Sequence, residues 1–427
     1  MKFFKKFVLL LFGIGLVLTL LLWLWSRFPA PRHEEQVRDA IERGSAAYQG
    51  LVDAKDPESN GWIKLQAADF FQGEELKRLL SVTSDLKTVA DHRQKQKESP
   101  EIYQQAVAGF HSRTGELREA LSSPDFKVQI GTLRLDQAKL DPTPYIQLDS
   151  ALGSLSMSFA SEAKWSNAID MFELRFLLSR RLRTQPPMLM SMTGTALLRR
   201  QCLSLLENPV WNVELSFTEH DRIVEMTKPS ERSAKQILTS ALDFDLASAA
   251  ELERSIVEDG DPNMHNYAGM GMYFVLPGVL EREFRIYRNI MGETLGALQQ
   301  EFETIPTFFA AEETSFVKGE NSLLAAILVP DVMETWSDLK TTSVLNQAVY
   351  QAARLKSVRK KTGAFPESWV VDGSAFQYEK VAADKAALTY RWKVAPTSTG
   401  LNRLQGTPGL SVDSEGLRLE VNFTPDD

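Results

Sequence analysis

Residues 7–25 are all apolar or glycine except Thr19. As a helix rising about 1.5 Å per residue, these 19 residues cover roughly 28 Å, close to the hydrocarbon thickness of a bilayer. A helix satisfies its own backbone groups and can sit in lipid. Trp23, Trp25 and Phe28 stand at one end, where amphipathic rings favour the interface, and Lys2, Lys5 and Lys6 stand at the other. The positive-inside rule then places the N-terminus in the cytoplasm. The expectation is a single-pass signal anchor in the inner (cytoplasmic) membrane, with lipid contact through residues 7–25 and a periplasmic or extracytoplasmic body. A cleaved signal peptide competes with this reading. Its apolar core is about 7–15 residues and ends at a small-x-small site, which Ser26-Arg27-Phe28-Pro29-Ala30-Pro31 does not offer. Gly15 and Thr19 form one small-xxx-small pair, a weak signal for helix pairing.

Beyond that run the chain is acidic. Residues 34–427 carry 43 basic against 56 acidic side chains, and the whole chain of 427 residues has a formal charge of -8. Nucleic-acid binders carry a basic excess, so nucleic acid is not an expected partner. With 43% apolar and 24% charged residues the chain has material for a core, which excludes disorder throughout. Cys202 is the only cysteine, so no intrachain disulfide forms.

Helical periodicity governs the middle of the chain. Helices are expected over about 33–54, 74–97, 100–121, 145–163, 165–184, 188–207, 217–227, 231–254, 277–304 and 330–361. Asp56-Pro57, Ser122-Ser123-Pro124, Pro186-Pro187 and Asn208-Pro209 punctuate them. Residues 126–135 alternate apolar and polar side chains, the pattern of a strand. Residues 163–172 have the small/aromatic spacing of a tetratricopeptide hairpin, but no second copy follows at a fixed period. The last sixty residues are rich in β-formers around the turn Asp413-Ser414-Glu415-Gly416. The expected fold class is therefore mainly α: an N-terminal transmembrane helix, a helix-hairpin ectodomain and a small C-terminal antiparallel β-sheet. Its segments are 1–32 (tip and anchor), 33–140 (helical, with the candidate strand), 141–320 (helix hairpins) and 321–427 (long helix plus sheet).

In the C-terminal quarter, residues 323–330 open a long helical pattern that stops at Thr362-Gly363-Ala364-Phe365-Pro366 before the strands. This layout resembles the type II secretion pseudopilins over roughly residues 323–395. The whole body is similar to uncharacterised, membrane-anchored bacterial envelope proteins with a helical middle and such a tail. The resemblance implies an architecture, an envelope location and a link to a secretion system. It implies no activity. Residues 7–25 lack the early glutamate and the prepilin-peptidase site of that family, so filament assembly is not implied.

Three motifs follow the order found in penicillin-binding proteins and β-lactamases. Ser161-Glu162-Ala163-Lys164 fits S-x-x-K, Tyr287-Arg288-Asn289 fits Y-x-N, and Lys361-Thr362-Gly363 fits K-T-G. In that chemistry Lys164 would activate Ser161 as a nucleophile acting on the cell wall, with Tyr287 and Lys361 completing the site. The sequence context opposes it, because Lys361 ends a helical pattern and Tyr287 lies within one. Met264, His265, Met270 and Met272 cluster in a Gly-rich stretch and are a candidate soft-ligand copper site. Methionines filling gaps in an apolar loop are the plainer account. The chain has no zinc spacing, P-loop or dinucleotide fingerprint, so no cofactor is expected. Arg175, Arg180, Arg181, Arg183, Arg199 and Arg200 make a basic region, read as a solvated face or an anionic partner's site. Trp165, Trp211, Trp336, Trp369 and Trp392 read as core aromatics. The leading functional expectation is a non-catalytic interaction or scaffold protein, with another envelope protein as its partner.

Overall fold

A computed structural model describes residues 13–19, 33–54, 58–130, 133, 140–230, 232–258, 279–299, 332–370 and 376–422. The described chain is mainly helical and ends in a four-stranded antiparallel sheet. The expected transmembrane helix and inner-membrane placement are corrected. Among the described residues no helix is long and apolar enough to cross a membrane. Only 13–19 of the expected span is described, as a helix covering about 10 Å, a third of a bilayer core. Residues 7–12 and 20–25 lie outside the described residues.

The chain divides into two compact units. The first comprises residues 1–47, 131–138 and 242–332. Helix α1 (Glu34–Asp53) begins in it. Within this unit Arg43 holds both oxygens of Asp243, at 2.7 and 2.9 Å. Gly44 lies so close to the Asp243 carbonyl that a Cβ would sit 2.1 Å from its oxygen, which only glycine allows.

The second unit comprises residues 48–130, 139–241 and 333–427 and holds a continuous apolar core. Its opening helices are α2 (Gly61–Ala67), α3 (Glu74–Thr83), α4 (Val89–Glu98), α5 (Pro100–His111) and α6 (Thr114–Ser122). Two expected long helices are thus each broken once. The first break is made by Thr88, whose hydroxyl accepts from the Asp91 amide while the Asp91 carboxylate takes the Thr88 amide. This reciprocal cap starts a new helix inside a sequence that reads as continuous.

Helices α7 (Thr143–Ser161), α8 (Trp165–Arg183) and α9 (Met188–Glu207) form the centre, each packed on the next in the chain. Their faces are apolar with a few charged side chains inside, and Leu148, Leu152, Ile169, Phe172 and Leu205 are fully buried. Short α10 (Phe217–Thr227) leads to α11 (Ala234–Glu258), and α12 (Val279–Gln299) follows. Helix α13 (Val332–Thr362) runs 31 residues and stops at Gly363, whose φ of 82 suits glycine and whose amide closes on the Arg359 carbonyl.

Strands β1 (Phe376–Ala382), β2 (Lys385–Arg391), β3 (Leu410–Val412) and β4 (Gly416–Asn422) pair in the order β1-β2-β4-β3, all antiparallel. The short helix α14 (Ser398–Asn402) precedes β3.

The candidate strand over 126–135 is not in the sheet. Phe126, Val128 and Ile130 are buried in alternation, as a strand would bury them. Their backbone partners are side chains instead: Gln185 donates to the Phe126 carbonyl and accepts from the Val128 amide, and Asn60 accepts from the Lys127 amide. Residues 131–132 and 134–139 lie outside the described residues.

Candidate functional site

Ser161 is the last residue of α7, and its hydroxyl donates to the Ser158 carbonyl at 2.6 Å. A serine and a lysine three residues apart share a face only while the helix continues. Here the helix ends between them. Ala163 takes φ 57, the Lys164 amide bonds the Phe159 carbonyl and the Ala163 amide bonds the Ala160 carbonyl, which is a Schellman stop with alanine where glycine is usual. The Lys164 amine pairs with Glu162 at 2.5 Å. Lys361 is in the last turn of α13, half-exposed and 3.6 Å from Asp221, and not on a sheet strand. Tyr287 lies on α12 in the first unit, fully buried, and burial holds its hydroxyl well above the usual range. Among the described residues of the second unit, no hydrogen bond or ion pair joins any two of the Ser161, Lys164 and Lys361 side chains. Met264, His265, Met270 and Met272 lie outside the described residues. Among those described, no three His, Cys, Asp or Glu side chains are placed to hold a metal ion.

The basic region resolves into separate tasks. Arg180 donates to the Met226 and Lys228 carbonyls, and Arg181 to those of Leu121 and Ser123. These side chains satisfy the ends of neighbouring elements. Arg183 is buried, which pulls its pKa down to about 10. Arg175 is fully buried and grips Asp149 through Nε at 2.9 Å and Nη2 at 3.1 Å, while Gln201 donates to the same carboxylate at 2.8 Å. Of the tryptophans, Trp211, Trp336 and Trp392 are buried and Trp165 and Trp369 partly so.

Arg199 and Arg200 differ from the rest because they reach a cleft. It lies in the second unit and has a volume of about 630 Å³. Its charged lining is Lys87, Arg199, Arg200, Arg403 and Glu207. Met157, Ala196 and Leu203 give it an apolar wall. Asp338 on α13 stands behind two of the cations. One of its oxygens takes Arg199 at 2.9 Å, and the other takes Arg403, which also pairs with Glu334 at 3.3 Å. Both arginines make these bonds through Nη1 alone. Arg200 is half-exposed, 3.7 Å from the Asp149 carboxylate that Arg175 already holds, and donates to Ser150 at 3.1 Å. Lys87 is exposed, and its backbone amide is pinned by Asp91 at 3.0 Å, next to the cap of α4. Among the described residues its amine has no carboxylate or hydrogen-bond partner. Glu207 accepts from Thr407 at 3.1 Å. Between Gln405 and Thr407 the chain turns at Gly406 with φ 91, a value that suits glycine.

Compared with protein-family models, curated proteins and solved structures, the chain finds no match in any of the three.

The chemistry of the cleft is therefore read from its own atoms. Guanidinium groups offer planar forks of donors suited to carboxylate and phosphate oxygens. Asp338 holds two such groups in place, so little side-chain freedom is lost when their other donors are engaged. In the first unit a smaller pocket of about 340 Å³ is lined by Glu34, Arg38, Glu42, Arg285 and Arg288, and its charges are mixed.

Lys87, Arg403 and Asp338 carry no motif in the sequence. Lys87 stands in a polar turn, and Arg199 and Asp338 are 139 residues apart, so no local pattern joins them. Lys356 carries no motif either. This lysine is buried on α13, donates to the Trp211 carbonyl and lies 4.5 Å over the Trp211 ring. Burial, then the nearby Arg359, brings its pKa down to about 7.

Proposed function

We propose that the protein is a non-catalytic binding protein and that the cleft between α9 and the 403–407 turn is its binding site. One observation carries this reading: Asp338 holds Arg199 and Arg403 together at the wall of an open cleft. The lining combines four cationic donors, the Glu207 carboxylate and an apolar wall, a set suited to holding a ligand. Ser161, Lys164 and Lys361, by contrast, are engaged with Ser158, Glu162 and Asp221.

The test is a thermal-shift screen of the full chain against organic anions, with each hit followed by NMR for conversion. Saturable stabilisation without conversion supports the reading. Turnover of a hit overturns it, and so does covalent labelling of Ser161 by a β-lactam probe.

A further inference from the structure

We infer that the cleft takes a small organic oxyanion, a phosphate monoester or carboxylate borne on an apolar body. This deepens the binding reading above and rests on it.

Three features define the ligand. The first is charge. Arg199 and Arg403 are balanced by Asp338 and Glu334, and Asp149 by Arg175, which leaves Lys87 and Arg200 as surplus cations against Glu207 alone. An anion entering the cleft meets this surplus and the unused donors of two fixed guanidinium forks. The second is the wall of Met157, Ala196 and Leu203, which gains from burying carbon and gives nothing to a bare inorganic ion. The third is size. About 630 Å³ lies within the range of pockets that enclose small molecules. Lys87 and Arg403 approach the cleft from segments far apart in sequence; the Arg403 side chain is held by Asp338 and Glu334, and the Lys87 backbone by the Asp91 carboxylate. The Arg199–Arg403 pair thus stands in place before the ligand arrives, which lowers the cost of binding.

The probes are hexyl phosphate, hexanoate and inorganic phosphate, titrated into the full chain by calorimetry with 31P or 1H NMR on the same samples. Hexyl phosphate or hexanoate is expected to bind saturably, with inorganic phosphate at least about tenfold weaker. Lys87→Glu and Ala196→Glu, both exposed positions in the lining, are expected each to weaken the better probe by about tenfold or more at unchanged melting temperature. Lys228→Glu, an exposed lysine outside the cleft, is expected to leave binding unchanged. No saturable heat from either organic probe overturns the proposal. Inorganic phosphate binding as tightly as hexyl phosphate does the same, as does an equal loss in Lys228→Glu. Sedimentation with phosphatidylcholine–phosphatidylglycerol vesicles, without binding of the free probes, would move the role to a lipid surface and also overturn it. Conversion of a bound probe, seen by NMR, would instead sink the non-catalytic reading while leaving the ligand class intact.

Discussion

Arg175 holds both oxygens of Asp149, and neither side chain exposes more than 2% of its surface. Three helices meet at this pair, because Gln201 on α9 donates to the carboxylate and Ser204 accepts from Arg175 at 3.1 Å. Removing one partner leaves a buried charge uncompensated. Asp149→Ala is expected to cost about 3–5 kcal/mol in urea unfolding. The double change Asp149→Leu with Arg175→Met is expected to recover most of that loss, since an apolar pair of similar volume removes the desolvation cost. A double variant no more stable than Asp149→Ala would show that the pair itself carries the packing.

Ala163 sits in the left-handed region at φ 57. A Cβ there costs about 1–2 kcal/mol in a residue other than glycine. Ala163→Gly is expected to raise the melting temperature by a few degrees, reduced by the greater freedom of glycine in the unfolded chain. A lower melting temperature would mean that the strain is relieved by contacts of the Ala163 methyl.

His92 and His220 are buried, and desolvation brings each pKa down to about 4 from 6.5. Between pH 6.5 and 4 the unfolded chain therefore binds more protons than the folded one, so stability falls as the pH falls through that window. Denaturation at stepped pH is expected to show this slope. His92→Gln is expected to flatten it by about half, and an unchanged slope would remove His92 from the account.

Lys356 is expected to act in a higher window. Its folded pKa of about 7 lies below the ordinary 10.5, so the unfolded chain holds the extra proton between those values. Stability rises with pH across that range, and the full cost of charging the buried amine is present below about pH 7. Lys356→Met is expected to stabilise the protein at neutral pH and to lose that advantage above pH 10. Destabilisation at pH 7 would mean that the bond to the Trp211 carbonyl and the ring contact outweigh the cost of burial.

Cys202 is fully buried, which pushes its thiol up to about 12. It is expected to stay unmodified by a thiol reagent until denaturant is added. Rapid labelling of the native protein would show that the helices around it open.

Helix positions were legible where proline or glycine marked an end. The breaks before α9 and the sheet fall at Pro186-Pro187 and Gly363, as the sequence suggested, whereas the stop before α8 falls at Ala163, where neither residue stands. The break at Thr88 carried its own signal, a threonine three residues before an aspartate, but the flanking periodicity masked it. Phe126 to Ile130 show the opposite failure. Alternation recorded which side chains are buried, and it could not say that Gln185 and Asn60 would replace a neighbouring strand. The transmembrane expectation rested on residues 7–25, and the helix described there covers only 13–19. The cleft was half visible. Arg199 and Arg200 stood out as a basic pair, but Asp338 and Arg403 join them only through the fold.

The span of these pairings orders events during synthesis. Asp149 finds Arg175 and Gln201 within 52 residues, so the α7–α9 trio can close while the chain that follows it is still to be made. Asp338 waits 139 residues after Arg199, and its second arginine comes 65 residues later still. A chain truncated before Arg403 would therefore emerge with a finished helical centre and no cleft.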